Sequence, residues 1–259
     1  MTMPRPDTHG AGGDFRPTSP VKLAIIGLLA LLSFVGLVAL GTWQVERRAW
    51  KLDLIARIDA RIHAPVALPP SPSAWPSVSA ASDEYRHVQV SGTFLHDRET
   101  LTQATTRLGP GFWVMTPFQT SQGFTVLVNR GFVPADQRRR EDRAAADTSG
   151  TVTVTGLLRL TEPKGGFLRS NDPAADRWHS RDVAAIASAR GLSDVAPYFI
   201  DADATPNPGG LPVGGLTVVA FPNNHLVYAI TWYGLALMVA GAAAYLAREE
   251  WRGRRQASR

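Results

Sequence analysis

The stretch PNNHLVYAITWYGLA, Pro222–Ala236, opens a long apolar run and places a histidine at its first turn. The run continues without a charged residue from Leu226 to Leu246, which is 21 residues. At ~1.5 Å of rise per residue, a helix of this length spans roughly 30 Å, the thickness of the hydrocarbon core of a bilayer. We therefore predict a transmembrane helix over 225–246.

A second apolar run, Leu23–Leu40, lies near the other end of the chain. It carries no charge and is longer than the ~7–15 residues typical of the apolar part of a signal peptide. Only a weak cleavage-like site, Ala39-Leu40-Gly41, follows its core. We predict a retained transmembrane helix over 23–42, the alternative being a cleaved signal peptide. The two helices then form a hairpin that flanks an outer domain, residues 43–224.

The charges beside the second run orient this hairpin. No Lys or Arg lies between Arg190 and Arg248, whereas five arginines occupy the tail 247–259. The positive-inside rule places that basic tail in the cytoplasm. Two crossings place the tail 1–22, rich in Pro, Gly and Thr and predicted to be disordered, on the same side. We therefore expect a multi-pass protein of the bacterial cell inner membrane with both termini cytoplasmic and a periplasmic central domain.

The sequence pI near 10.0 comes mainly from the tails. Residues 23–246 contain 19 Lys and Arg against 18 Asp and Glu. A nucleic-acid surface needs a basic face on a folded domain, so we predict no nucleic-acid partner and assign the basic tails to contact with anionic membrane lipid. The chain has no cysteine, which excludes disulfides, thiolate metal sites and covalent haem attachment through a Cys-x-x-Cys-His motif.

The region between the spans alternates in the manner of β-strands. Runs of strands with one or two helices predict an α+β domain, mostly antiparallel and β-rich, with a sheet that partly closes into a barrel. We predict a helical stalk over 43–62 and a linker over 65–82 that is too rich in Pro and Ser to pack. Strands are predicted over 86–90, 112–120, 124–133, 151–160, 197–200 and 216–221, and a helix over 182–190.

No motif of a known catalytic site occurs in the chain. A nucleophile elbow, a P-loop, a His-Glu-x-x-His pair and a dinucleotide fingerprint are all absent. We therefore predict that the protein is not an enzyme. The alternative is an outer-face enzyme that uses His87, His96 or His179, although His87 and His96 also fit ordinary strand-surface residues.

His225 is the strongest candidate for a metal ligand, with Asn223 or Asn224 as the cap of its helix. The positive end of a helix dipole disfavours a charged imidazole in the first turn, and the neutral imidazole is the form that binds metal. Tyr228 and Trp232 follow at i+3 and i+7, so a flat ring system ligated by His225 would lie along them. The alternative is an aromatic belt at the membrane interface.

The outer end of the first span supplies a second set of candidates, Trp43, Gln44 and Arg47. Both outer ends of a hairpin meet the same water layer, so these residues are expected near His225. Arg47 could pair with a haem propionate in bidentate fashion. The alternative for Arg47 is a side chain that snorkels to the membrane interface.

Taken together, these elements resemble the surfeit locus protein 1 family, which assists assembly of cytochrome c oxidase. The residues that carry the resemblance are GTWQVERRAWK (Gly41–Lys51), VLVNRGFVP (Val126–Pro134) and PNNHLVYAITWYGLA (Pro222–Ala236), with a Gly-Pro-Gly-Phe step at Gly109–Phe112. The order of span, β-rich outer domain and histidine-bearing span is more specific than any one of these motifs.

The resemblance implies a role, a cofactor and partners. Bacterial members are thought to hold haem a transiently and non-covalently and to pass it to oxidase subunit I, which makes His225 the candidate iron ligand. Subunit I is the implied partner, with haem a synthase as a second candidate. Asn129, Arg130 and Gly131 match family positions as either a turn at a strand end or a surface that faces the oxidase. The competing hypothesis is a cofactor-free scaffold that binds oxidase subunits during assembly.

Overall fold

The structure is a computed structural model that describes residues 18–163, 165, 168–219 and 221–257. Most of the predicted disordered tail, residues 1–17, lies outside the described residues, and Pro20–Lys22 already belong to a helix. The chain divides into two units, one formed by residues 1–53 with 221–259 and the other by residues 54–220. Each unit is described by itself below.

The first unit contains two long helices. Helix α1 runs over Pro20–Ile62, its last turns lying in the second unit, and helix α3 runs over His225–Ala257. Both contain segments long and apolar enough to cross a membrane, and those segments are almost wholly exposed within the protein. Large apolar side chains on a helix surface without a protein partner are consistent with a lipid environment.

The second unit is a six-stranded sheet that closes on itself. Its strands are β1 (His87–Phe94), β2 (Thr100–Thr106), β3 (Gly109–Thr120), β4 (Thr125–Pro134), β5 (Val152–Leu160) and β6 (Val195–Ala202). The order is β1-β5-β6-β4-β3-β2, and β1 also pairs with the carboxyl end of β3. Five strands therefore form a barrel, with β2 added beside the first half of β3. Every pairing is antiparallel except that of β4 with β6.

Strand β4 is the centre of this unit because it is buried along nearly its whole length. Since side chains alternate along a strand, Val126 and Val128 join the barrel interior while Leu127 packs on the other face against helix α2, Val183–Ala189. The side chain of Asp182 caps α2 by accepting from the Ala185 N–H at 3.1 Å. The α+β class and the mostly antiparallel sheet are as predicted.

Three predictions about local structure were wrong or incomplete. The segment 65–82 packs, because Trp75 lies edge-on to Phe124 at 5.7 Å and donates to the Pro70 carbonyl at 3.1 Å. The predicted strand over 216–221 is absent from the described residues there, because β4 and β6 already have neighbours on both sides and Thr217 is held through its side chain. Strand β2 was missed because its residues are mostly polar threonines.

Candidate functional site

Helix α3 begins where the sequence places the candidate ligand. His225 is its first residue, and the Asn224 carbonyl accepts the Tyr228 N–H at 3.3 Å, the first bond of the helix. The Asn223 side-chain oxygen is buried without a hydrogen-bond partner among the described residues, so it does not cap the helix. His225 therefore sits at the positive end of the helix dipole.

The structure brings His225 together with Gln44 of α1. The imidazole Nδ1 and the Gln44 Oε1 are 2.7 Å apart. Since an amide oxygen only accepts, Nδ1 carries the proton and Nε2 keeps its lone pair. No other hydrogen bond to the His225 ring occurs in the described part of the chain, so Nε2 is the nitrogen available to a ligand. A bond to the second ring nitrogen is the usual device that orients a metal-binding histidine.

About two turns further along α3, the two helices touch through Tyr233. Its hydroxyl lies 3.1 Å from Thr42 Oγ1, and its ring covers Gly41, where a Cβ atom would come within 2.8 Å of the ring. Gly41 therefore allows the close approach of α1 and α3 just below the His225–Gln44 pair. Tyr233 was not among the predicted site residues, although the Tyr-Gly pair within an apolar span was the signal available.

The other predicted residues of this site surround it less closely. Trp43 and Tyr228 are about half exposed and Trp232 is half-buried. The Arg47 guanidinium stacks over the Trp50 ring at 4.0 Å rather than on a carboxylate. No described hydrogen bond joins these four residues to His225, so their role in a shared site stays a prediction.

Asn129, Arg130 and Gly131 lie within β4, so the prediction of a turn at a strand end was wrong. The Asn129 and Arg130 side chains are 3% and 2% exposed. Gly131 has φ of +133°, and a Cβ there would meet the Val213 carbonyl oxygen at 2.3 Å. Only glycine allows β4 to exchange hydrogen bonds with Val213 at this point. A surface that faces the oxidase stays a prediction, but these two side chains are directed to partners within the domain.

Asn129 belongs to a buried cluster centred on Asp201 of β6. The Asp201 carboxylate accepts from Asn129 Nδ2 at 2.7 Å, Arg159 Nη1 at 3.0 Å, Arg181 Nη1 at 3.1 Å and Thr217 Oγ1 at 2.9 Å. Burial opposes the charge of Arg159, but Asp201 and a hydrogen bond to Glu84 outweigh it and raise the pKa of that guanidinium. No local sequence pattern indicates this cluster, because its members are far apart in the chain.

The three histidines weighed as catalytic candidates, His87, His96 and His179, each lie beside a different partner in the described part of the chain. His87 Nδ1 lies 3.1 Å from the Ala64 carbonyl and His179 Nδ1 lies 2.9 Å from Gln103 Oε1. His96 is buried rather than on a strand surface, because the turn after β1 directs it toward Arg130 of β4. Within the described ranges, no group of three or more His, Asp or Glu could hold a bare metal ion.

The chain is similar to proteins of one family. The family model described as the SURF1 family matches residues 31–237. Surfeit locus protein 1 of Homo sapiens is 40% identical over 225 residues, 80% of this chain and 71% of the human protein. The Xenopus tropicalis protein of the same name is 38% identical over 82% of this chain and 72% of its own length. The SURF1-like protein of Drosophila melanogaster is 33% identical over 83% and 75%.

Proposed function

Because the chain belongs to the SURF1 family, we propose that it is a membrane-anchored assembly factor for cytochrome c oxidase that binds haem a and helps to insert it into subunit I. The observation that carries this proposal is the hydrogen bond between His225 Nδ1 and Gln44 Oε1 at 2.7 Å. This bond fixes the neutral tautomer that leaves Nε2 free for iron.

The residues around His225 suit a macrocycle better than a bare ion. A haem brings four nitrogen ligands of its own and needs only axial ligation from the protein. One oriented imidazole on a helix with Tyr228 and Trp232 on the same stripe meets that need. Bound haem a would supply the redox-active iron centre that the acceptor subunit lacks.

In the proposed transfer, the protein would hold haem a and then release it to the acceptor subunit. His225 Nε2 would ligate the iron, and Gln44 would keep the ring in the ligating orientation. Arg47 is our candidate for a propionate, because its guanidinium rests on the Trp50 ring and has no carboxylate partner in the described part of the chain. A single protein ligand gives modest affinity, which favours release to an acceptor that offers more ligands.

We place this activity at the outer surface of a bacterial inner membrane. Both candidate spans support membrane anchoring, and the arginines that follow the apolar part of α3 support a cytoplasmic position for both termini. Subunit I is the proposed acceptor, and haem a synthase is the proposed donor. We propose no catalytic turnover.

The test is the absorbance spectrum of detergent-purified protein from cells that make haem a. We compare wild type, His225→Ala, Gln44→Leu and the control His63→Ala, which removes an exposed histidine whose Nδ1 lies 2.9 Å from the Asp59 carbonyl. Wild type and the control are expected to show a reduced haem a band, which His225→Ala loses. Gln44→Leu is expected to lose about ten-fold or more in haem affinity, because it removes the hydrogen bond that orients the ligating imidazole.

The cofactor-free scaffold makes the opposite prediction. If no preparation contains haem a although the protein is folded and haem a is available, the ligation proposal is wrong. Oxidase subunits that still co-purify with His225→Ala under those conditions would establish the scaffold. An unchanged haem a content in His225→Ala would remove His225 from the site even if haem is bound.

A further inference from the structure

Arg130 is a buried cation with no carboxylate of the described residues within hydrogen-bond distance. It is 2% exposed, and its Nη2 donates to the Ala146 carbonyl at 2.5 Å and to Asn207 Oδ1 at 3.0 Å. The nearest carboxylate oxygen, on Asp147, is 4.0 Å from Nη1. Neutral acceptors satisfy hydrogen bonds but leave a buried charge largely uncompensated, which is costly in a protein interior.

The neighbouring arginines take the available acids. Arg143 makes a two-point ion pair with Glu99 through both Nη atoms, and Arg140 Nε donates to Asp147 Oδ2 at 2.8 Å. Three arginines therefore share two carboxylates, and Arg130 is the one without a hydrogen bond to either. The remaining Asp147 oxygen, Oδ1, lies 4.0 Å from Arg130 Nη1 and accepts no hydrogen bond in the described part of the chain. Burial lowers the pKa of Arg130, and the charges of Asp147 and Glu99 do not offset that effect.

His96 does not neutralise this charge. Its Nε2 lies 3.1 Å from the Thr148 carbonyl, so Nε2 donates there, and in the neutral ring Nδ1 accepts from Arg130 Nη1 at 3.3 Å. Asp147 Oδ1 lies at the same distance of 3.3 Å from Nδ1. Burial, the largest influence, lowers the pKa of His96, which keeps the ring neutral. The same bond to the Thr148 carbonyl fixes the backbone of Thr148 beside Arg130.

A cleft of about 170 Å³ opens beside this cation. On the same measure one water needs roughly 10–15 Å³, so the cleft has room for a small organic molecule. Its lining combines Arg130, Thr148 and Asn207 with apolar side chains, including Phe94, Val152 and Val154. The Phe94 ring lies 4.8 Å from the Arg130 guanidinium carbon.

Two residues that line this cleft each have a buried donor without a partner. Arg130 Nε and Thr148 Oγ1 are both buried without a hydrogen bond among the residues that the structure describes. Arg143 Nε also lacks a partner, but Arg143 has its charge met by Glu99 and does not line the cleft. Asp203, which does line it, has Oδ1 occupied by the Thr205 N–H at 2.9 Å.

We propose that this cleft binds a small organic carboxylate. The anionic oxygens accept from Arg130 Nε and Thr148 Oγ1, and a short hydrocarbon body packs on Phe94 and the valines. This ligand would supply the charge that Arg130 lacks and the acceptor that both orphan donors lack. The residues that line it are not those of the His225 site, so it stands or falls independently of the haem proposal.

The test uses propionate as the probe and the full chain in detergent, with binding followed by ligand-observed NMR titration. Propionamide, which has the same shape without the charge, is the ligand control. The decisive variant is Thr148→Val, which keeps the volume and removes the donor. Thr116→Val is the matched protein control, because Thr116 Oγ1 is also buried without a partner but does not line the cleft.

We expect saturable propionate binding, little binding of propionamide, and about ten-fold weaker propionate binding in Thr148→Val with no change in Thr116→Val. Arg130→Gln is expected to abolish binding, with circular dichroism to confirm that the variant is folded. Absence of saturable propionate binding in the wild type would mean that ordered water alone fills the cleft, and would overturn the proposal. Equal binding of propionamide, or an unaltered affinity in Thr148→Val, would overturn it as well.

Discussion

Asn129 and Arg130 are neighbours on β4, yet their surroundings differ in one respect. Asn129 points into a cluster where Asp201 meets Arg159 and Arg181 with short hydrogen bonds. Arg130 points to the opposite face, where its closest carboxylate oxygen is 4.0 Å away. Because successive side chains of a strand alternate between faces, one strand serves two environments. The face of β4 that carries Asn129, the paired face, stabilises the barrel. The face that carries Arg130, the underpaired face, retains the capacity to bind a ligand.

Replacing Asp201, the shared acceptor of the paired face, should have the largest effect on the free energy of unfolding. Asp201→Ala leaves the largely buried guanidinium groups of Arg159 and Arg181 without their shared acceptor, and breaking such a pairing costs about 3–5 kcal/mol. The measurement is the free energy of unfolding of the outer domain, from denaturant titrations followed by circular dichroism. Glu141→Ala, which breaks an exposed pair with Arg139, is the control and should change little. A loss in Asp201→Ala no larger than that of the control would mean that the paired face is not what stabilises the barrel.

Glu99→Gln should have an intermediate effect, because it makes Arg143 resemble Arg130. The neutral amide keeps an acceptor but removes the charge from a pair in which Arg143 is 2% and Glu99 12% exposed. We expect a loss of about 1.5–3 kcal/mol, the range for a hydrogen bond to a charged group. The same unfolding titration measures it. If stability is unchanged, a buried arginine in this part of the domain needs no carboxylate. Arg130 would then need no anionic ligand either.

The smallest predicted effect is the pH dependence due to His96. Burial lowers its pKa in the folded protein below the 6.5 of an ordinary histidine. Between the pKa of His96 in the folded protein and that in the unfolded chain, the unfolded chain binds more protons. The stability contributed by neutral His96 is therefore fully present above pH 6.5 and is lost as the pH falls below it. The unfolding midpoint of wild type should therefore fall between about pH 7.5 and about pH 6 by more than that of His96→Gln. His63→Gln, at an exposed position, should behave like wild type, and a wild-type midpoint that rises on acidification would contradict the assignment.

The two long helices were far more predictable than the barrel. His225, Gln44 and the two apolar spans could be placed because hydrophobic length and position in a hairpin act over short stretches of chain. The strands with apolar alternation, such as β4 and β5, were predicted for the same reason. Strand β2, which is rich in threonine, was missed, and the packing of the Pro- and Ser-rich segment around Trp75 was not foreseen because composition does not reveal a partner as distant as Tyr198.

The sequence by itself determined the α+β class, two apolar spans and a histidine at the start of the second, because local hydrophobic pattern and residue identity are properties of the chain. Only the tertiary structure decided which nitrogen of His225 is free and that Asn129 and Arg130 are buried. It also decided that Asp201 accepts from two arginines, whereas Arg130 has no described carboxylate within hydrogen-bond distance. Such pairings join residues as far apart as Asn129 and Asp201 or Gln44 and His225. They depend on strand register and helix packing, which bring distant atoms within hydrogen-bond reach and which no local pattern encodes.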